Sequence, residues 1–322
     1  MFCVACIVIA VFLLYTMRRK KLAQQVSPLG KYVLITGCDT GFGHQLAQRL
    51  DERGCNVIAT CLLKRGDGAS ELKRVSSERM HVLALDVTSD NSVRQCVEHV
   101  RGVVGEAGLW AVVNNAGIMP LGDVEFYTMD DFKQTAEVNM FGMVRVTKFF
   151  LPLIRKCQGR IVNVTSVKGL ICTTHSAAYH MTKFAGEAFS DSLRLEMARF
   201  GIKVSIIEPG DYGGGTGMLG NMEIHRKNYD RMWLEASDDV RQVYGRQYLQ
   251  DCYSKLVSAA KIGRKDLTPV INCMEDAVLA ATPCYRYLIH GGNRTCDIYC
   301  VLARLKAFIP TPVHDYLVRE YL

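Results

Sequence analysis

Short apolar runs rich in valine, isoleucine and leucine recur along residues 31–210 and alternate with amphipathic segments. Within these runs polar and apolar residues do not alternate, so a strand built from one of them needs apolar cover on both faces. Helices packed on both sides of a parallel sheet provide that cover. The pattern therefore predicts an α/β fold with a single doubly wound parallel sheet and helices on both faces.

Six of the runs are predicted strands, and a seventh is possible. In chain order they are KYVLITG, CNVIATC, RMHVLALDV, LWAVVNNAG, RIVNVTS and KVSIIEPG, with YRYLIHG as the possible seventh. We expect one Rossmann-type domain over residues 31–291, in which residues 211–282 form helices inserted after the sixth strand. A linker over residues 22–30 precedes this domain, and an apolar tail over residues 292–322 follows it.

The amino terminus differs from the rest of the chain. Residues 2–17 form an almost wholly apolar, uncharged run, and the basic cluster RRKK at residues 18–21 follows directly. A cleaved signal peptide carries its positive charge before the apolar run, so this order indicates a retained anchor. We predict a transmembrane helix within residues 1–21, with the domain on the cytosolic face. The endoplasmic reticulum is the expected membrane, and the mitochondrial membrane is the alternative.

Charge and cysteine content narrow the function classes. The formal net charge is +7, and the RRKK cluster carries four of the positive charges. The remainder shows no basic stripe with interleaved aromatic residues, so nucleic acid is not an expected partner. The 13 cysteines are scattered, many of them in apolar runs, and we interpret them as reduced packing residues. We expect no metal site, and a homo-oligomer remains open.

Gly37, Gly41 and Gly43 form a G-x-x-x-G-x-G pattern between the first predicted strand and the next helix. Glycine permits a tight turn and a close approach of the backbone, and a helix amino terminus presents free N–H groups with positive partial charge. This combination is typical of a site for the pyrophosphate of a nicotinamide dinucleotide.

Ser166 ends the fifth predicted strand, and Tyr179 and Lys183 lie four residues apart on one face of the following helix. Free tyrosine, with a pKa of about 10, is a weak base near neutrality. A neighbouring ammonium favours the phenolate, so we expect Lys183 to lower the pKa of Tyr179. The three residues predict a general acid/base pair beside a serine that holds a substrate oxygen.

These motifs, together with NNAG at residues 114–117 and Asp86 in LDV, resemble the short-chain dehydrogenase/reductase family over residues 31–210. GCDTGFG, GLWAVVNNAG and EAFSDSLRLEM are similar to a branch with retinol, 17β-hydroxysteroid and D-β-hydroxybutyrate dehydrogenases. The resemblance implies an NAD(P)-dependent oxidoreductase with Asn139, Ser166, Tyr179 and Lys183 as its catalytic residues. YHMTK stands in place of the commoner Y-x-A-S-K, with the spacing kept.

The resemblance also implies a set of dinucleotide contacts. They are Gly37, Asp39, Thr40, Gly41, Phe42, Gly43, Cys61, Asp86, Val87, Asn114, Ala116, Gly117, Tyr179, Lys183, Pro209, Gly210 and Thr216. Among them, Asp86 and Val87 would bracket the adenine, and Asn114 would stabilise the sheet beside the cofactor.

The end of the second strand bears on the choice between NAD and NADP. An acidic residue there would bind the ribose 2′-hydroxyl, but this chain has Cys61. Similarity to relatives that carry a cysteine at this place favours NAD. The following Lys64 and Arg65 keep NADP open, because a basic side chain can pair with the 2′-phosphate.

Two substrate classes remain open. A hydroxy acid would need a cation for its carboxylate, and Lys168 could provide it where vertebrate hydroxybutyrate enzymes use an arginine and this chain has Ser176. A lipophilic steroid or retinoid would need an apolar pocket, and we expect this class. Candidate substrate contacts are Ser166, Lys168 and Tyr212, with Met119, Leu121, Leu170, Ile171, Met218, Leu219 and Met222 as apolar lining. An inactive cofactor-binding scaffold is a third hypothesis.

Three further segments carry expectations. Glycines 213–215 predict a mobile loop, either a closing lid or a tolerant surface loop. Residues 299–308 are apolar with interspersed cations, which suits a membrane-surface helix or a subunit-packing helix. Asn293 begins a glycosylation sequon that would matter only in a lumenal domain.

Overall fold

The computed structural model describes residues 24–292 and 297–321, in which seven strands form one parallel sheet. The strands are β1 (Tyr32–Ile35), β2 (Asn56–Cys61), β3 (Met80–Ala84), β4 (Ala111–Asn114), β5 (Arg160–Val164), β6 (Lys203–Pro209) and β7 (Arg286–Ile289). Their order is β3-β2-β1-β4-β5-β6-β7, with parallel pairing throughout. The six predicted strands and the possible seventh are confirmed. Because the winding reverses between β1 and β4, a crevice opens at their carboxyl ends.

Helices follow most of the strands. They are α1 (Gly41–Arg53), α2 (Asp67–Val75), α3 (Asp90–Val104), α4 (Met129–Ala136), α5 (Gly142–Lys156), α6 (Ala177–Met197), α7 (Gly217–Gly220), α8 (Met222–Glu235), α9 (Asp238–Ile262), α10 (Thr268–Leu279), α11 (Ile298–Leu305) and α12 (Thr311–Tyr321). A π-helical turn, Glu137–Phe141, joins α4 to α5. Gly54 ends α1 in the left-handed conformation with a φ of 99°, which glycine adopts without strain.

Both faces of the sheet are apolar because successive side chains of a strand point to opposite sides. Val33 and Ile35 of β1 pack in one core cluster with α1, α2 and α10, whereas Leu34 packs in the other with α3, α5 and α6. This two-sided burial explains the continuous apolar runs. It confirms the doubly wound sheet.

The segment after β6 differs from the expected insertion over residues 211–282. Only α7, α8 and α9 lie outside the sheet layers. Helix α10 belongs to the main core, because Val270, Ile271 and Met274 are buried against the sheet and α1. The apolar face of α10 needs that position, so the insertion ends before Thr268.

The two ends of the chain are only partly described. The predicted anchor over residues 1–21 and the sequon at Asn293 lie outside the described residues. Among residues 24–292 and 297–321, no helix has both the length and the apolar character needed to cross a bilayer. The predicted linker docks on the domain, where the Val26 N–H donates to Leu279 O at 2.8 Å. The predicted apolar tail forms α11 and α12, and Leu302 and Val318 pack on Ile171.

Candidate active site

A cleft of about 1310 Å³ lies at the carboxyl edge of the sheet, where the loops after β1, β4, β5 and β6 meet. Helix α8 and the loop before it form the opposite wall. The volume exceeds the roughly 300–1,000 Å³ of a pocket for one drug-sized ligand. The cleft therefore has room for a dinucleotide and a second molecule.

The glycine loop forms one end of this cleft. Gly37 and Gly41 have positive φ angles of 69° and 64°. A Cβ added to Gly43 would lie 2.5 Å from Gly37 O and 2.5 Å from Asn115 Nδ2, so α1 packs directly on the loop. Thr40, the N-cap of helix α1, makes no side-chain capping hydrogen bond, and the first turn of the helix has no acidic residue. Its free N–H groups suit the pyrophosphate of a dinucleotide.

Hydrogen bonds join the glycine loop to the end of β4. Asn115 Nδ2 donates to Thr36 O at 2.9 Å and to Gly37 O at 3.0 Å. Thr36 Oγ1 accepts from the N–H groups of Asn115 and Ala116, each at 3.0 Å. These contacts fix the position of the glycine loop relative to the end of β4. The sequence had not assigned a role to Thr36 or Asn115.

Asn114 lies behind the cleft wall and does not line it. Its Nδ2 donates to Asn163 Oδ1 at 2.8 Å and to Thr147 Oγ1 at 3.0 Å, and Asn163 Nδ2 donates to Ser190 Oγ at 2.8 Å. This buried polar ladder connects β4 to β5, α5 and α6. Asn114 therefore supports the sheet beside the cleft.

Asp86 and Val87 line the cleft after β3. The Asp86 carboxylate accepts from the Thr88 N–H at 2.9 Å and from its hydroxyl at 2.7 Å. A Cβ on Gly142 would lie 2.7 Å from Val87 Cγ2, so Gly142 lets α5 pack close to this loop.

Tyr179 and Lys183 project from the first turns of α6 toward Ser166, and all three are buried. Ser166 hydrogen-bonds Tyr179. Lys183 Nζ donates to Val164 O at 3.0 Å and lies 5.3 Å from the centre of the Tyr179 ring. The two helix positions therefore converge on one point of the cleft with Ser166.

The pKa of Tyr179 differs from the expectation. Burial raises it to about 12, and the hydrogen bond with Ser166 opposes that rise. Burial also lowers the pKa of Lys183 to about 8, against the charge of Glu187. The predicted lowering of the Tyr179 pKa is therefore wrong for this structure, because burial disfavours the charged phenolate and raises the pKa instead.

Asn139 lies in the π-helical turn between α4 and α5, also behind the cleft wall. Its Oδ1 accepts from the Ile118 N–H at 2.8 Å, and its Nδ2 donates to Ile118 O at 2.9 Å and to Thr182 Oγ1 at 3.0 Å. A Cβ on Gly117 would lie 3.3 Å from Asn139 Oδ1 and 3.8 Å from Lys183 Nζ. Asn139 and Lys183 thus approach the same side of Gly117.

The loop after β6 packs closely on the segment after α9. A Cβ on Gly214 would collide with Gly263 O, and one on Gly215 would collide with Lys265 O. The glycines therefore allow the two backbones to approach closely. Neither prediction for this loop, a closing lid or a tolerant surface loop, had included that role. Tyr212 lines the cleft, and its hydroxyl donates to His290 O at 2.7 Å.

Lys168 is the cation nearest to Ser166 in sequence, and it lines the cleft. Burial lowers its pKa to about 8, and the charge of Asp211 opposes that shift. Its Nζ donates to Ser176 Oγ at 3.4 Å, and within the described ranges no carboxylate oxygen lies within 4.0 Å of it. Among residues 24–292 and 297–321, no direct ion pair therefore compensates the charge of Lys168.

A protein-family model described as short chain dehydrogenase matches residues 31–226. The mitochondrial D-β-hydroxybutyrate dehydrogenase of Bos taurus is 44% identical, over 84% of this chain and 80% of its own length. Retinol dehydrogenase 16 of Mus musculus is 42% identical, over 90% of this chain and 89% of its own. The chain belongs to the short-chain dehydrogenase family.

A short-chain dehydrogenase/reductase from Burkholderia phymatum, solved in complex with NAD, has the same fold. It matches with a TM-score of 0.71 at 19% identity and covers 88% of this chain and 94% of its own. The present short-chain dehydrogenase is an NAD(P)-dependent oxidoreductase, as its named relatives are dehydrogenases.

Most of the residues predicted for the site of this short-chain dehydrogenase line the cleft. They are Gly37, Asp39, Thr40, Gly41, Phe42, Asp86, Val87, Ala116, Gly117, Ser166, Lys168, Tyr179, Lys183, Pro209, Gly210, Tyr212 and Thr216. Gly43, Asn114 and Asn139 lie behind its wall and act on it through packing or hydrogen bonds, and Cys61 is buried without lining it.

The apolar lining was predicted less well. Met119, Leu121, Met218 and Leu219 line the cleft, and so do Ile224, Met232 and Leu256, which the sequence had not indicated. Leu170, Ile171 and Met222 do not line it. Ile171 instead packs against α11 and α12, because those helices return to the loop that follows Ser166.

Proposed function

We propose that this short-chain dehydrogenase interconverts a hydroxyl and a carbonyl group on a lipophilic substrate such as a steroid or a retinoid, with NAD as its dinucleotide. One observation supports this above all. Ser166 and Tyr179 meet at the end of a large cleft whose opposite wall carries methionine, leucine and isoleucine side chains. An apolar ring system fits such a wall, with its reacting oxygen at the two hydroxyl groups.

The proposed mechanism assigns one task to each residue. The bound nicotinamide supplies or takes up the hydride, while the chain handles the oxygen and the proton. Ser166 Oγ holds the substrate oxygen, and Tyr179 exchanges the proton with it. With a pKa of about 12, Tyr179 is protonated at neutral pH, so it is ready to protonate the oxygen of a carbonyl substrate.

Lys183 and Asn139 support that proton transfer in this proposal. Lys183, with a pKa of about 8, remains mostly protonated at neutral pH and stabilises the phenolate that forms when Tyr179 gives up its proton. Its ammonium also suits the hydroxyls of the nicotinamide ribose. Asn139 approaches Gly117 from the same side and would complete a proton relay through water.

A small hydroxy acid is the second candidate substrate, and Lys168 is the observation that favours it. A partly buried ammonium that has no carboxylate oxygen within 4.0 Å among the described residues is a suitable site for a substrate carboxylate. The 44% identity to a D-β-hydroxybutyrate dehydrogenase agrees with this alternative. The apolar side chains of that wall, which alternate with polar ones such as Asn228 and Arg231, argue for the lipophilic class, because a small hydroxy acid would leave much of the apolar surface without contact.

The proposed location follows from residues 1–21. A lipophilic substrate is stored in a bilayer, and an anchored domain would meet it there. We propose anchoring in the endoplasmic reticulum with the domain toward the cytosol, on the basis of the apolar run and the RRKK cluster that follows it.

The test measures turnover of steroids, retinols and 3-hydroxybutyrate by the full chain with NAD. NADH fluorescence monitors the reaction. Tyr179→Phe should lower turnover of the best substrate by about a hundredfold to ten-thousandfold, because it removes the general acid/base. NADH affinity should stay within about twofold, since the lost hydroxyl faces the substrate. Tyr229→Phe is the matched control, because Tyr229 is buried in α8 without lining the cleft. Full activity in Tyr179→Phe would contradict the mechanism, and the substrate panel decides between the two classes.

A further inference from the structure

A carboxylate lies at the end of β2 although β2 itself ends in a cysteine. It belongs to Asp39 of the glycine loop. The Leu62 N–H lies 3.1 Å from Asp39 Oδ1 and 3.0 Å from Oδ2, and the Leu63 N–H lies 3.4 Å from Oδ1. The side chain thus reaches from the loop after β1 to the residues that follow β2.

The backbone of Asp39 is held by packing from two sides. The Cys38 N–H donates to Thr60 O at 2.8 Å, which joins the glycine loop to β2. On the other side, a Cβ on Gly68 would collide with Asp39 O, so the first turn of α2 rests directly on the loop. Only a glycine at position 68 permits this approach, and the position of Asp39 is fixed as a result.

The carboxylate of Asp39 retains acceptor capacity toward the cleft. An ionised carboxylate offers about four lone-pair sites, and two backbone N–H groups do not use all of them. Asp39, Leu62 and Leu63 all line the cleft. Cys61 does not line it, and burial, reinforced by the charge of Asp39, raises the pKa of its thiol to about 12. Asp39 is therefore the negative charge at this corner.

In this fold the end of β2 is the place where the adenosine ribose binds, and an acid there bonds the 2′-hydroxyl. We propose that Asp39 fills that role from the glycine loop: it accepts the 2′-hydroxyl of NAD and repels the 2′-phosphate of NADP. The proposal deepens the dinucleotide preference stated above and rests on it. It does not depend on which alcohol is the substrate.

Lys64 and Arg65 are the groups that would favour the phosphate instead. Both are exposed, and in the described part of the chain neither forms an ion pair within 4.0 Å. Exposed cations interact through water and are screened by salt. Asp39 is held in place by two N–H groups, so its effect on a ligand bound beside it is the larger one.

The experiment compares Asp39→Asn with the matched control Asp39→Glu in the full chain. Asparagine keeps an oxygen for the Leu62 N–H but removes the charge, whereas glutamate keeps the charge. NADH and NADPH are titrated separately by nucleotide fluorescence without substrate. For Asp39→Asn we expect NADH to bind about tenfold more weakly and NADPH about tenfold more tightly, because a charge-assisted hydrogen bond and a like-charge repulsion are both lost. Asp39→Glu should keep the preference for NADH.

Three outcomes would count against the assignment. An unchanged ratio of the two affinities in Asp39→Asn, whether both are kept or both fall by the same factor, would leave Asp39 with a structural role only. Tighter binding of NADPH than NADH by the wild type would overturn the NAD preference as well. A wild type that binds neither nucleotide would contradict the proposed function itself, which distinguishes that failure from the others.

Discussion

The two walls of the cleft are built by different means. On the cofactor side, backbone packs against backbone, as at Gly43, and buried polar ladders such as that of Asn114 join the strands. On the substrate side, α8 and α9 are held by side chains, in a cluster around Phe126, Tyr229 and Met232. Close contacts between backbones allow few amino-acid substitutions, whereas contacts between side chains allow more. The first wall suits a ligand common to the whole family, and the second suits one that varies.

The largest effect should come from breaking the cofactor side at Gly43. Gly43→Ala places a methyl group 2.5 Å from Gly37 O and Asn115 Nδ2, so the loop must shift. We expect NADH affinity to fall about a hundredfold, as overpacking of 1–3 kcal/mol or more is concentrated at the ligand site. Titration of NADH fluorescence measures this. Gly102→Ala in α3 is the control, since nothing lies within 4 Å of its added Cβ. Wild-type affinity in Gly43→Ala would contradict the role of this close contact.

The pH dependence of carbonyl reduction distinguishes Lys183, beside Tyr179, from Lys168, a candidate substrate contact. Carbonyl reduction should fall about tenfold between pH 7 and pH 9, because Lys183, with a pKa of about 8, loses the charge that stabilises the Tyr179 phenolate. Lys168 has the same pKa of about 8, so Lys168→Met serves as the control. The fall should persist in that variant with a lipophilic substrate. If it disappeared, the titrating group would be Lys168 and not Lys183.

The smallest effect should come from the substrate side at Gly214. Gly214→Ala pushes the loop after β6 away from Gly263, and α7 and α8 follow that loop. We expect the KM for the alcohol to rise about fivefold, with a smaller loss of NADH affinity, because α8, which follows the shifted loop, is held by side-chain contacts that can readjust. Initial rates at varied alcohol concentration measure the KM, and titration of NADH fluorescence measures the NADH affinity. An equal loss of both would mean that the two walls are not separable.

The sequence allowed good predictions wherever the signal is local. Apolar runs define the strands, and a spacing of four residues places Tyr179 and Lys183 on one helical face. The errors concern properties that depend on distant parts of the chain. The contact of the Asp39 carboxylate with the residues after β2 depends on the fold, and the raised pKa of Tyr179 comes from burial. Helix α10 was grouped with the insertion because its partners in α1 lie more than 200 residues away in sequence.

The glycines at 213–215 show the same limit. Composition predicts mobility for such a run, whereas the structure offers close backbone packing as the reason for glycine. The sequence alone does not separate these two reasons, because both require a residue without a side chain.

The docking of the carboxyl-terminal helices has a consequence for how the enzyme could diversify. Lys306 Nζ donates to Leu170 O at 2.9 Å, and Tyr299 lines the cleft itself. These carboxyl-terminal residues thus support the loop that follows Ser166. Substitutions in these helices would therefore change the position of the loop after Ser166. Two paralogues could differ in rate or substrate preference while every motif residue stayed the same.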